Sequence, residues 1–367
     1  MTLAALIEQS RTQKEAWHYT NLLPYAAMSF VRPSGPRLDC RTLPEPVGLH
    51  RLVFVDGQLA RDLSDLGAIP DALLSVNEGD CLNGLSYVLS LGGQACLAID
   101  PIELLFVNTS TPAANEQTTK LKIALGENSR LTLIERHMAM GNATTARHII
   151  MEMDLAAQSK LVHGEIIYGT EESLHFSQAN INVAAGAFYD HFNLIVGGRV
   201  ARCEKDVLLS GPMADAQMSA VMLLRDGCLG DVTNRVRHLV PHTSSQQTCK
   251  AVLDDKAKGV FQGKVVVNEG AQKTDAYQSC RALLLSQSAE MNAKPELEIY
   301  ADDVKCSHGA AIGDLDETAL FYLQSRGLSK ESARAMLIEA FVAEKAEKIQ
   351  SEDLRRLVLE EVETWLR

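Results

Sequence analysis

At 367 residues the chain can bury a large core, and its length suggests two or three domains. A net charge of −12 and a pI near 5.4 argue against nucleic acid or an anionic membrane as partner, because no basic stripe offsets the acid. The eight cysteines are widely spaced, with Cys81 and Cys96 the nearest pair, which fits reduced cytoplasmic thiols better than a secreted disulfide framework. The N-terminus has no basic segment before an apolar run, and no uncharged stretch approaches membrane-spanning length.

In chain order, residues 1 to about 28 read as helix from the spacing of Leu3, Leu6 and Ile7, with Trp17 following a charged segment. A linker with Pro33, Gly35, Pro36, Pro44, Pro46 and Gly48 rules out a continuous helix or central strand there. Leu52 to Gln58 predicts a short strand and turn, and 61–75 a short helix. Together 1–84 form an N-terminal helical region with a Pro/Gly-rich linker.

From 85 to 313 the chain is a succession of short Val-, Ile- and Leu-rich strands with hardly any helical period. Small and polar turns recur at Gly126–Ser129, Ala156–Ser159, Ala184–Ala187 and Met213–Gln217, and the strands that follow start near Leu131, Leu161, Tyr189 and Met218. A regular period in an all-strand region marks a solenoid, with small residues at the corners letting successive coils stack. A parallel β-helix therefore fits better than the alternative, an irregular antiparallel sandwich, which would show hairpin turns at shorter intervals. After Gly313 the pattern turns helical. A first helix over Asp316–Gly327 has acids in its first turn, Arg326 in its last and Gly327 as its stop, Ser329 and Ser351 are placed to cap two more within 314–367, and Leu354, Leu357, Val358, Val362, Trp365 and Leu366 line one face of the last. These helices either cap the solenoid or offer a docking face to another protein.

Chemistry concentrates in Cys306 and His308. In an extended strand the thiol and imidazole point the same way, about 6 to 7 Å apart along the backbone. Two donors are half of what a zinc or iron–sulfur centre usually takes, so the rest must come from a distant part of the chain or from a second chain. Lys305 would favour the thiolate, and Asp302 and Asp303 could orient the imidazole. The alternative is that the pair is structural. Gly259 to Lys264 has the wrong glycine spacing for a phosphate loop, and Val265 stands where Ser or Thr should hold magnesium, so no nucleotide site is expected. His238 and His242 have a helical zinc spacing, but Pro241 between them opposes a helix. Cys203, Cys228, Cys249 and Cys280 read as core filler. His137, His148, His163, His175 and His191 read as ordinary buried, hydrogen-bonded imidazoles.

Glu296 to Ala310, followed by Leu320 to Leu328, resembles the C-terminal signature of the SufB/SufD family of the SUF iron–sulfur cluster assembly system. Ser244–Gln247, Gly259–Val265, Gln272–Gln278, Leu283–Leu285 and Asn292–Leu297 fit in the same order, and Trp17–Thr20 resembles an N-terminal element of the family. Cys306-Ser-His-Gly309 favours the SufD type, since SufB typically carries Glu-His-Glu-Ala near this place. The resemblance implies a right-handed parallel β-helix, mainly β, flanked by N- and C-terminal α-helical regions. It implies a non-catalytic scaffold that pairs with SufB and with the ATPase SufC. Cys306 and His308 would be metal and cofactor ligands to a transient iron–sulfur cluster shared with SufB. It leaves open a homodimer of the isolated chain. Two other classes stay in view: a polysaccharide-modifying β-helix enzyme of the exported kind, and a purely architectural subunit whose Cys/His pair is inert.

Overall fold

The computed structural model describes residues 2–31, 38, 42–48, 50–65, 75–81, 84–91, 101–109, 114–141 and 143–367, with side chains in 75–91 described only at 87–89. Alternation drives the architecture. In the strand Thr145–Leu155, Ile149, Met151, Met153 and Leu155 are buried while Glu152 and Asp154 are exposed, as a strand with one face on a core requires.

Two sheets form a flattened parallel solenoid of about seven turns. The first holds β1 (His50–Val55), β2 (Gln58–Leu59), β5 (Ile102–Asn108), β7 (Arg130–Ala139), β9 (Lys160–Gly169), β11 (Phe188–Gly197), β13 (Asp215–Leu224), β15 (Ser244–Leu253), β17 (Asp275–Leu284) and β19 (Lys305–Gly313). The second holds β3 (Ser75–Cys81), β4 (Gly84–Leu91), β6 (Asn115–Leu125), β8 (Thr145–Leu155), β10 (Ser173–Val183), β12 (Val200–Leu209), β14 (Leu229–His238), β16 (Lys258–Val267) and β18 (Glu290–Ile299). Apart from the antiparallel pairs β1·β2 and β3·β4, the ladders are parallel. The expected strand and turn over Leu52–Gln58 is β1, the Asp56–Gly57 turn and β2.

Leu131 lies opposite Leu161, Leu161 opposite Tyr189, and Tyr189 opposite Ala216. The true register thus begins two residues before Met218, and a shift of two keeps every side chain on its own face. One corner is itself a ladder. Asn128, Gln158, Gly186, Met213, His242 and Lys273 all have positive φ, and the N–H of each donates to a carbonyl of the next coil. The left-handed turn is thereby repeated once per coil with its backbone groups satisfied.

The terminal segments cover the broad faces. α1 (Leu3–Thr12), capped by Thr2, buries Leu3, Leu6 and Ile7 against Ala146, Leu174, Phe176 and Val200 on the outside of the second sheet. The helix expected to reach residue 28 stops at Thr12, because the following residues are anchored to the sheet instead. Trp17 lies under the Arg202 guanidinium at 4.1 Å, Arg202 donates to the Ala16 carbonyl at 2.9 Å and pairs with Asp231, and Thr20 donates to Asp231. The 61–75 helix is a single 3-10 turn at Arg61–Leu63, and 66–74 lie outside the described residues.

The three expected C-terminal helices form: α3 (Lys330–Ala346) and α4 (Glu352–Leu366) at the expected caps Ser329 and Ser351, and α2 (Glu317–Ser325) with Asp316 as its N-cap and not in its first turn, with Gly327 at φ +96° after α2. α3 and α4 lie along the outside of the first sheet, where Ile338, Val342, Leu354 and Val358 pack on Ile134, Ile166, Phe192 and Leu194. Gly164 permits this approach, since a Cβ there would sit 2.4 Å from Leu354 Cδ1. The helices therefore clothe a flank and leave the end of the solenoid open. No helix among the described residues is long and apolar enough to cross a membrane.

Candidate functional site

The open end is made by β18 and β19, the last strands of the two ladders. A turn at Ala301–Val304 joins them, held by the Lys273 N–H donating to the Asp303 carbonyl at 2.6 Å, by a Lys273–Asp303 ion pair, and by the Lys305 N–H donating to the Thr274 carbonyl at 2.8 Å. Extended backbone through β19 then places Cys306 opposite Ala276 and His308 opposite Gln278. Both are on the inward face of a coil that has no further coil above it. His308 and Ile312 are consequently exposed, and Ile299 and Tyr300 are exposed at the end of β18. Cys306 is half-buried against the Val265, Val267, Ala276 and Ala301 cluster.

Two expectations change. Burial pushes the Cys306 thiol above its ordinary range, and Asp275 adds to this, outweighing the backbone contact at Ala276 that acts the other way. Lys305, one residue away in an extended strand, points to the opposite face, so it does not produce the thiolate expected from sequence adjacency. Asp303 pairs with Lys273 and is not the orienting partner of His308.

Below His308 the pairing register reveals a column: His163, His191, Met218, Gln247, Gln278 and His308 are successive inward neighbours on the first sheet. A second column runs Glu135, Glu165, Asn193, Ala220, Cys249 and Cys280. Together with Arg147, His175, Ser177, Cys203, Lys205 and Asn234 from the second sheet, these polar and sulfur groups form a seam. On either side of it lie two apolar strips, one around Leu133, Met153 and Ile181 and the other around Ile195, Met222 and Phe261.

The seam is charged and buried. Glu165 accepts from Lys205 at 2.8 Å and from Asn193 at 3.0 Å. Burial alone would raise this carboxyl, but Lys205 and His191 outweigh it and hold it well below the carboxylate range. Glu135 bonds His137 at 3.1 Å and also bonds His163, and these contacts overcome burial to bring it down to about 2. Burial depresses His137, His175 and His191, the last to about 4. The Gln278 amide and Gln247 Oε1 are buried with no partner. Taken singly along the sequence, the five histidines carry no sign of this arrangement. The missed signal is phase: His163 and His191 recur one coil apart, and Glu135 and Glu165 share an adjacent inward row.

The phosphate-loop look-alike and the His238/His242 pair fall elsewhere. Gly259–Lys264 is extended within β16, with Lys264 paired to Glu298 at 2.7 Å. His238 ends β14 and is bonded by Thr243 and Ser245, and His242 is a corner residue. Cys203, Cys249 and Cys280 of the seam, with Cys228 outside it, are buried free thiols that border the apolar cluster of Ile195, Met222 and Phe261.

Residues 106–341 match the family described as the SufBD core domain of SUF-system FeS cluster assembly. The chain is 29% identical to the iron–sulfur cluster assembly protein SufD of Escherichia coli over 94% of this chain and 86% of that one. It is 29% identical to an iron–sulfur cluster assembly SufBD family protein of Synechocystis, covering 90% and 82% respectively. To the chloroplastic protein ABCI7 of Arabidopsis thaliana it is 34% identical over 56% of this chain and 44% of that one. A solenoid of this register, with a match spanning most of its coils, makes the chain a member of the SufB/SufD family of iron–sulfur cluster assembly proteins.

Proposed function

We propose that this chain is a non-catalytic scaffold subunit that assembles nascent clusters where the open end of its solenoid meets a SufB-type partner, in the cytoplasm. The observation that carries this reading is the uncapped last coil. β19 pairs with β17 along one edge, and beside its other, free edge the inward side chains His308 and Ile312 stand at the surface with Cys306 half-buried next to them. A strand edge with apolar and metal-binding groups beside it suits continuation of the ladder by another chain, which would also bring the missing ligands. The cluster is cargo held jointly by both subunits, with His308 the leading ligand of this one and Cys306 beside it.

α2 supplies the second contact in this reading. Phe321 and Tyr322 are 73% and 56% exposed on a helix that buries none of its residues, a surface suited to a SufC-type ATPase. The half-burial and raised pKa of Cys306 favour a narrower version in which only His308 ligates. Reconstitution of the three chains with iron and sulfide tests the site: His308→Ala should abolish cluster build-up while its circular dichroism stays unchanged, and an undiminished yield overturns the assignment. Cys306→Ser in the same assay separates one ligand from two. Phe321→Asp with Tyr322→Asp should remove ATPase-subunit binding from a folded chain, and retained binding refutes that contact.

A further inference from the structure

Inside the solenoid, at the N-terminal end of the polar seam and several coils before the open end at β19, His137 on β7, Glu165 on β9 and His175 on β10 converge from both sheets. One ligand atom from each lies within 4.8 Å of the other two, and all three side chains are buried. The histidines are incompletely satisfied: His137 Nδ1 and both ring nitrogens of His175 have no hydrogen-bond partner. Each such buried polar atom costs about 1–3 kcal/mol if left so, and one ion between the two rings would satisfy His137 Nδ1 and one nitrogen of His175.

The surroundings orient these donors. His137 Nε2 bonds Glu135, and its ring is stacked on Phe106 at 4.7 Å and 12°, so Nδ1 is the nitrogen left free. A carboxylate behind a ligating imidazole is a recurrent support of metal sites, setting tautomer and ring plane. Glu165 directs Oε2 to Lys205 and Asn193. Arg147, the cation beside His175 on the neighbouring strand, is turned to Asn108 Oδ1 and the Met138 carbonyl.

We propose that His137, Glu165 and His175 bind one divalent first-row transition ion, zinc or iron(II), inside the solenoid and separately from the interface pair Cys306/His308. Two imidazoles and a carboxylate form a borderline donor set suited to these ions. Glu165 would ligate through Oε1. Tetrahedral ligation at about 2.0–2.1 Å sets donors about 3.4 Å apart, so loading draws the cluster in by roughly an ångström. The site is sealed, so the ion enters as the coils close during folding and exchanges slowly afterwards.

The test is metal content after refolding the full chain with Zn(II), or anaerobically with Fe(II), followed by exhaustive dialysis against EDTA. One equivalent should remain. His175→Gln and His137→Phe should each reduce it to background, the phenyl ring preserving the stack on Phe106 so that circular dichroism can confirm folding. Cys306→Ala combined with His308→Ala should retain the full equivalent, which separates this site from the proposed cluster interface. Refolding with Co(II) adds a spectroscopic reading: visible d–d bands without a thiolate-to-cobalt charge-transfer band. Metal-free wild-type protein under both loadings, full retention by folded His175→Gln, or a thiolate band in the cobalt form would each overturn the proposal.

Discussion

The flanks of the solenoid and its C-terminal end use the same strand chemistry and meet opposite fates. On the flanks, outward side chains such as Ile134, Ile166, Phe192 and Leu174 are apolar, and the chain's own terminal segments cover them. At the end, the inward side chains of β19 would belong to a core if one more coil followed, and they are exposed. Apolar surface is closed within the chain wherever a tethered helix can reach it with a matching face. A coil end is closed by another strand, which supplies backbone hydrogen bonds that a helix does not offer.

Breaking the flank contacts should cost stability in proportion to burial, and breaking the end should not. The largest effect is expected at Arg202, 1% exposed and joined to Asp231 and Trp17. Arg202→Ala leaves a buried carboxylate unpaired and should cost about 3–5 kcal/mol, read by urea denaturation. Leu354→Ala opens a void between α4 and Gly164 and should cost about 3 kcal/mol by the same measurement. A smaller, pH-dependent effect comes from His238, which burial depresses to about 4 against an ordinary 6.5. The folded pKa is the lower one, so this stability is complete above pH 6.5 and is lost as pH falls towards 4. His238→Gln should reduce the slope of unfolding free energy over that window by at most about 1.4 kcal/mol per pH unit. The smallest effect belongs to the end: Ile312→Asp should change the stability of the single chain by less than about 0.5 kcal/mol yet weaken association with a SufB-type partner measured by sedimentation. A large loss of stability from Ile312→Asp would erase the distinction between flank and end.

Much of this was legible before folding. The coil period emerged from the turns at 126–129, 156–159 and 184–187, and the helix caps at Ser329 and Ser351 lie where local rules put them. Cys306 and His308 were legible as a same-face pair, but the burial of the thiol was not. It depends on Val265, Val267 and Ala276, contributed by two earlier strands.

By itself, then, the sequence determines what depends on neighbours along the chain: alternation, the coil period, the caps and the helical tail. Only the tertiary structure decides that the tail lies on a flank, that the first helix ends at Thr12 so that Trp17 can meet Arg202, and that His137, Glu165 and His175 share one space. Those outcomes turn on residues a full coil or more apart, and which of them touch is set by ladder register and by the apposition of two sheets, neither of which is encoded in any single segment.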